Sequence, residues 1–208
     1  MWDCLLVSGS IVGVAAVGDR LLEIVKDPPW ERALCDSCTH GLVALLSWLA
    51  LILRTGRCQG GGWPYVPWLE VLLCGILGSA IDIDHFIAAR SFDLKLALHL
   101  NHRPPLHSTG LCCLLAAFPF LLSWIFRCDW LFRFGWLWWV AFSSHHLRDG
   151  TRRGLWLLPN WSTPPLPRPL YLAALAALPH ITWSVMKLTQ TGFNRQEGFL
   201  PLRLEYII

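Results

Sequence analysis

Charge is scarce in this chain. Asp, Glu, Lys and Arg together make up 15% of its 208 residues, against roughly a quarter in an ordinary soluble domain. That shortage excludes a disordered segment and a nucleic-acid-binding arm. The net charge of +3, from 17 Lys and Arg against 14 Asp and Glu, is too small to argue for a polyanionic partner. There is no Gly-rich phosphate cradle of Walker or Rossmann type and no Gly-x-Ser-x-Gly elbow. Ser143-Ser144-His145 sets a hydroxyl beside a base, but adjacent residues on a helix do not face each other. No internal repeat of fixed period is present. The eight cysteines do not read as a disulfide framework: Cys4, Cys74, Cys112 and Cys113 lie inside apolar runs, where a thiol behaves as a small hydrophobe. Cys35-x-x-Cys38 has no matching second pair and reads as helix packing.

What the chain has in quantity is apolar surface. Apolar residues make up 54% of it, 13 residues are Trp, and the mean hydropathy is +0.45. Uncharged or nearly uncharged runs extend over Cys4–Gly18, Cys38–Leu53, Val66–Ile81, Leu106–Phe126, Phe134–Leu147 and Pro169–Met186. A bilayer core takes about 20 mostly apolar residues. The fourth and sixth runs qualify outright, and the others do so with snorkelling ends. Trp2, Trp30, Trp63, Trp68, Trp124, Trp130, Trp156 and Trp161 flank the runs, as an interfacial belt requires. The first run reads as a spanning helix, not a signal peptide, because it lacks a basic n-region and continues in helical spacing through Asp19, Arg20 and Glu23. Pro28-Pro29, Gly60-Gly61-Gly62 with Pro64, Pro104-Pro105 and the Pro159–Pro169 stretch punctuate the runs. Phe92 to Leu100 alternates apolar and polar residues, a strand period. An open strand edge cannot sit in lipid, so a short interfacial helix is expected there.

Six segments crossing alternately put the first, third and fifth loops on one face of the membrane. Asp19, Asp36 and His40, Asp82, Asp84 and His85, His102 and His107, and His145, His146 and Asp149 all attach to that face. Seven of the eight histidines fall there, with nine of the 14 carboxylates; His180 lies deeper, inside the sixth segment. Ionisable residues at membrane spans are costly and are functional candidates by default. Their spacing suits metal binding. His145 and Asp149, like Asp36 and His40, are four apart and share a helix face, while Asp82, Asp84 and His85 fall within one turn. Carboxylate oxygens with imidazole nitrogens suit zinc, manganese or iron, and a set this large has donors for one or two ions. Arg103, Arg148, Arg152 and Arg153 lie beside these residues, where they either grip an anion or anchor helices at the headgroups. Lys and Arg number 10 on this face against 7 on the other, too small a bias to orient the chain.

Ile81-Asp82-Ile83-Asp84-His85, then His102-Arg103-Pro104-Pro105-Leu106-His107-Ser108, then Ser144-His145-His146-Leu147-Arg148-Asp149 leading to Gly154 and Pro159, resemble in order the motifs of the YdjM-like membrane-bound metal-dependent hydrolases. The likeness covers about residues 75–159. It implies metal-binding roles for Asp82, Asp84, His85, His102, His107, His145 and Asp149. Pro104 and Leu106 replace a glycine and a threonine of the middle motif, removing a flexible backbone and a hydroxyl. A likeness over nearly the whole chain is to the transmembrane protein 267 family, through Asp19-Arg20-Leu21-Leu22, Trp30 to Leu34 with Asp36 and His40, Ile83 to Phe86, Ser143 to Gly150, Arg153 to Trp156 and Leu178-Pro179-His180. It implies a multi-pass membrane protein and no particular chemistry.

The expected molecule is thus an all-α, multi-pass integral membrane protein, one helical domain over residues 1–208 with about six transmembrane helices. Asp82, Asp84, His85, His107, His145 and Asp149 are its expected metal ligands, with Asp36, His40 and His102 as further ligands or supports and Arg103 or Arg148 for an anionic group. Its partners are the lipid bilayer and, if it is an enzyme, a lipid-like or phosphate-bearing substrate whose phosphoester or acyl bond is hydrolysed. The competing expectation is a non-catalytic scaffold or transporter-associated protein that keeps the His/Asp cluster for structure.

Overall fold

The computed structural model describes residues 2–55, 66–158 and 161–196; the Gly60–Gly62 stretch, Trp63, Pro64 and Pro159 lie outside them. The chain is built of helices: α1 (Trp2–Ile24), α2 (Pro29–Thr55), α3 (Val66–Ala80), α4 (Ile83–Ala89), α5 (Leu94–Leu98), α6 (Thr109–Phe126), α7 (Asp129–Arg153) and α8 (Arg168–Gln196). A two-stranded antiparallel ribbon, β1 (Trp156–Leu158) with β2 (Trp161–Ser162), links α7 to α8. Among the described residues, five helical segments are long and apolar enough to cross a membrane: Asp3–Ile24, Pro29–Thr55, Trp68–Ala89, Thr109–Phe126 and Arg168–Thr189. The remaining expected segment is α7, whose 25 residues have the length to cross but carry charge at both ends.

Helices α2 and α7 occupy the middle. α2 packs on α1, α3, α7 and α8, and α7 packs on α2, α3, α6 and α8. Trp48, Leu51 and Ile52 of α2 meet Val71 and Cys74 of α3 and Trp136, Leu137 and Val140 of α7 in one buried cluster. Cys4, Ile11 and Ala15 of α1 join Val43, Ala50, Tyr171 and Leu175 in a second. The outward faces are apolar as well: Leu6, Ile76, Leu114, Trp124 and Leu188 are all exposed. So much bare apolar surface is untenable in water and ordinary in lipid. The protein is therefore a multi-pass membrane protein.

Local signals set the boundaries. Pro29 opens α2 at the first helical position, where its missing N–H costs nothing. Arg90 caps α4 in the left-handed conformation at φ 49°. Asp93 caps α5 by accepting from Lys95 N–H at 2.8 Å, so the segment with a strand-like alternation is the short helix expected of an interface. Gly154 ends α7 at φ 71°, where a Cβ would stand 1.8 Å from the Thr163 carbonyl oxygen.

Small residues let α2 and α3 approach closely, as membrane helices do when van der Waals packing drives their association. A Cβ at Gly75 would lie 3.1 Å from the Gly41 carbonyl oxygen, and one at Gly78 would lie 2.6 Å from Ala44 Cβ. Ala44 is held by its helix backbone and cannot swing away, so Gly78→Ala is expected to cost about 1–3 kcal/mol through overpacking. Gly13, with open space where a Cβ would go, is the comparison: Gly13→Ala should leave stability unchanged or slightly raised. Unfolding midpoints of the two variants in detergent check this.

Candidate metal centre

The break between α3 and α4 turns Asp82 and Asp84 inward at one end of the bundle. Asp82 N–H still bonds the Ser79 carbonyl at 3.3 Å, and Asp84 is 2% exposed. Across from them, Pro104 and Pro105 lead into a single 3₁₀ turn, Pro105–His107, which delivers His107. His145 and Asp149 come from α7, one turn apart. His145 is fully buried.

The four side chains converge. His107 Nε2 lies 3.5 Å from Asp82 Oδ1 and 3.3 Å from Asp149 Oδ2. His145 Nε2 lies 3.6 Å from Asp82 Oδ1 and 3.3 Å from Asp149 Oδ2. The two Nε2 atoms are 3.5 Å apart, and all four donor atoms fall within 4.8 Å of one another. Ligand atoms held tetrahedrally at about 2.0–2.2 Å from an ion are separated by roughly 3.3–3.6 Å. The five pairwise distances match that spacing.

Each imidazole is fixed from behind. His145 Nδ1 faces the Gly78 carbonyl oxygen at 2.9 Å; a carbonyl only accepts, so Nδ1 carries the hydrogen and Nε2 presents a lone pair. His107 Nδ1 faces Asp84, 3.2 Å from Oδ1 and 3.3 Å from Oδ2, and the same tautomer follows. Carboxylate and carbonyl partners of this kind orient metal-binding histidines. Asp84 in turn accepts from Leu106 N–H at 2.7 Å. With both imidazoles neutral, two lone pairs face each other and two carboxylates, a donor set with room for a cation at its centre. Burial opposes charge on His107, yet Asp149, Asp82 and Asp84 outweigh it and push the imidazole up to about 11. Without an ion, a proton on His107 takes the cation's place.

A second grouping, Asp84, His85 and His107, shares His107. His85 Nδ1 bonds the Ala97 carbonyl at 3.1 Å and its ring meets His107 edge-on at 4.7 Å, so it ties α5 over the site. His40 stacks on His145 at 3.9 Å, with Nε2 3.3 Å from Asp149 Oδ1. Its buried Nδ1 has no hydrogen-bond partner among the described residues. His102 and Arg103 line the adjoining cleft without joining either grouping. His146 and Thr109 were not singled out as a pair by spacing. His146 Nε2 donates to the Leu106 carbonyl at 2.9 Å and Nδ1 accepts from the Thr109 hydroxyl at 2.8 Å, which locks the His107 turn against α7. Their separation of 37 residues hides the pairing from any local pattern.

Arg148 and Asp36 belong to a neighbouring network. Arg148, 1% exposed, pairs with Asp19 at 3.3 Å and with Asp36. Arg152 grips Asp36 through two bonds of 2.7 and 2.8 Å, and Tyr171 donates to Asp19. These contacts tie α1, α2, α7 and α8 together and point the Arg148 guanidinium at Asp19 and Asp36, not at the cleft. Removing one member of a buried ion network leaves the others uncompensated, at roughly 3–5 kcal/mol. Arg148→Ala should therefore unfold several degrees lower in detergent. Arg20→Ala, which breaks an exposed pair with Glu23, should change little.

The comparisons with known proteins agree with the membrane architecture. The chain is 37% identical over 191 residues to transmembrane protein 267 of Mus musculus, covering 89% of this chain and 85% of that protein. It is 36% identical over 192 residues to transmembrane protein 267 of Danio rerio, covering 90% and 82%, and 37% identical over 178 residues to that of Bos taurus, covering 84% and 79%. No solved structure matches. No family model matches either, so the likeness to the YdjM-like hydrolases has no support beyond its short motifs. Identity at this level over most of both chains shows that the chain belongs to the transmembrane protein 267 family.

Proposed function

We propose that Asp82, His107, His145 and Asp149 bind one divalent transition-metal ion at the membrane interface, and that the centre serves a metal-dependent hydrolase. The observation that carries this is the convergence of two imidazole lone pairs and two carboxylate oxygens at 3.3–3.6 Å from one another, with both ring hydrogens committed to the far side. Asp84 then acts through His107, and His40 through Asp149. Because His107 Nδ1 faces Asp84, one ion suits the site better than two. When bound, such an ion supplies a water acidic enough to ionise near neutral pH.

The choice of ion separates the two functional readings. Zinc held by four protein ligands is a closed, structural site, which fits a scaffold whose cluster serves only to hold four elements together. Manganese or iron takes further ligands, and the cleft side of the centre has room for them: Asp82 is 31% exposed and lines the cleft. That opening favours the hydrolase and a phosphoester or acyl substrate.

Metal analysis of detergent-purified protein tests the assignment. About one ion per chain is expected, falling at least tenfold in the His107→Ala/His145→Ala double variant. Equal metal in both proteins would remove these residues as ligands. One tightly held zinc with no water bound to it would favour the scaffold.

A further inference from the structure

A cleft of about 380 Å³ opens over the tetrad, at the small end of the roughly 300–1,000 Å³ typical of ligand pockets. Its lining combines two chemistries. The charged part is Asp36, Asp82 and Asp149 with Arg103, Arg152 and Arg153. Arg152 is committed to Asp36 and Asp149. Arg103 donates only to backbone carbonyls, those of Arg153 and Gly154. Among the described residues neither Arg103 nor Arg153 has a carboxylate within ion-pair distance, and Arg153 crowds Arg103 enough to work, after burial, against its charge. Two neighbouring guanidinium groups beside a metal-binding tetrad make a place for an anion with several acceptor oxygens.

Acceptor count narrows the anion. A phosphate monoester offers three terminal oxygens to the two guanidinium groups and the ion, whereas a diester or a carboxylate offers two. The lining is also apolar: Phe86 of α4, Leu94 and Leu98 of α5, and Leu155 and Trp156 contribute to it, and α5 is pinned in place by the His85–Ala97 bond. The volume admits one head and one chain segment, not the two acyl chains of a bilayer phospholipid.

We propose that this cleft binds a phosphate monoester carried on a single apolar chain, its phosphate between the tetrad and the Arg103/Arg153 pair and its chain along Phe86, Leu94, Leu98 and Trp156. The proposal rests on the metal-site reading above, and it selects phosphate monoester over acyl substrates for that site.

Binding, not turnover, tests it. Decyl phosphate, inorganic phosphate, decanol and decyltrimethylammonium are titrated calorimetrically into manganese-loaded protein at a fixed concentration of non-ionic detergent, with metal content measured on the same sample. Decyl phosphate should bind at least tenfold more tightly than inorganic phosphate, and the uncharged and cationic chains should not bind measurably. Arg153→Glu, an exposed change, should weaken decyl phosphate about tenfold while leaving metal content and unfolding temperature unchanged. Metal present with decyl phosphate no tighter than decanol overturns the proposal and leaves the metal site standing. Inorganic phosphate binding as tightly as decyl phosphate also overturns it, because the apolar wall would then contribute nothing. A chain that takes up no metal removes both readings together.

Discussion

Five carboxylates crowd one end of an apolar bundle, and each must find positive charge where water is scarce. How they find it organises the protein. Asp19 and Asp36 are matched by Arg148 and Arg152, which fastens α1 and α2 to α7. Asp149 meets Arg152 at 3.6 Å and His40 at 3.3 Å, and with Asp82 and Asp84 it faces the His107 and His145 imidazoles. The first group is closed by arginine; the second leans mainly on imidazoles, and its carboxylates raise the hold of His107 on a proton.

The backbone makes the second group possible. His145 of α7 bonds the Gly78 carbonyl of α3, and α2 closes on α3 through Gly41, Gly75 and Gly78 with no Cβ between them. His107 reaches both Asp84 and the tetrad because Pro104 holds the chain extended and Pro105 opens the single 3₁₀ turn that carries His107. The His146 bond to the Leu106 carbonyl and the Asp84 bond to Leu106 N–H hold the two peptide units that flank Leu106. The Leu106 backbone groups, not its side chain, make these bonds.

Much of this was legible in sequence. The apolar runs gave the helices, and the one-sided distribution of His and Asp placed the site, because membrane crossing leaves each loop only two faces to choose from. Asp82, His107, His145 and Asp149 all appear among the residues so selected. What spacing could not rank was their roles. Asp84 and His85 stand beside Asp82 in sequence, and the turn between α3 and α4 places them with His107 in the second grouping, Asp84 behind its Nδ1 and His85 edge-on to its ring. Arg148 sits one residue from Asp149 and reads as an anion grip. On a helix that neighbour lies about 100° round the axis, which faces Arg148 toward Asp19. The Thr109–His146 pair and the supporting Gly78 carbonyl depend on contacts between elements 37 and 67 residues apart, where no local periodicity carries information.

The deepest and shallowest donors of the tetrad differ in a way that bears on its chemistry. His145 is sealed between α2, α3 and α7 and is backed by stacked His40, so it cannot move without disturbing the core. Asp82, at the break in the α3–α4 segment, and His107, on a loop, face the cleft. A site needed only for stability gains from enclosure on every side, since water at a buried cluster weakens the electrostatic attraction that holds it. Here His145 is inside, while Asp82, His107 and Asp149 line the cavity together with apolar side chains and arginines. One rigid donor and three accessible ones leave the cluster reachable from the cavity.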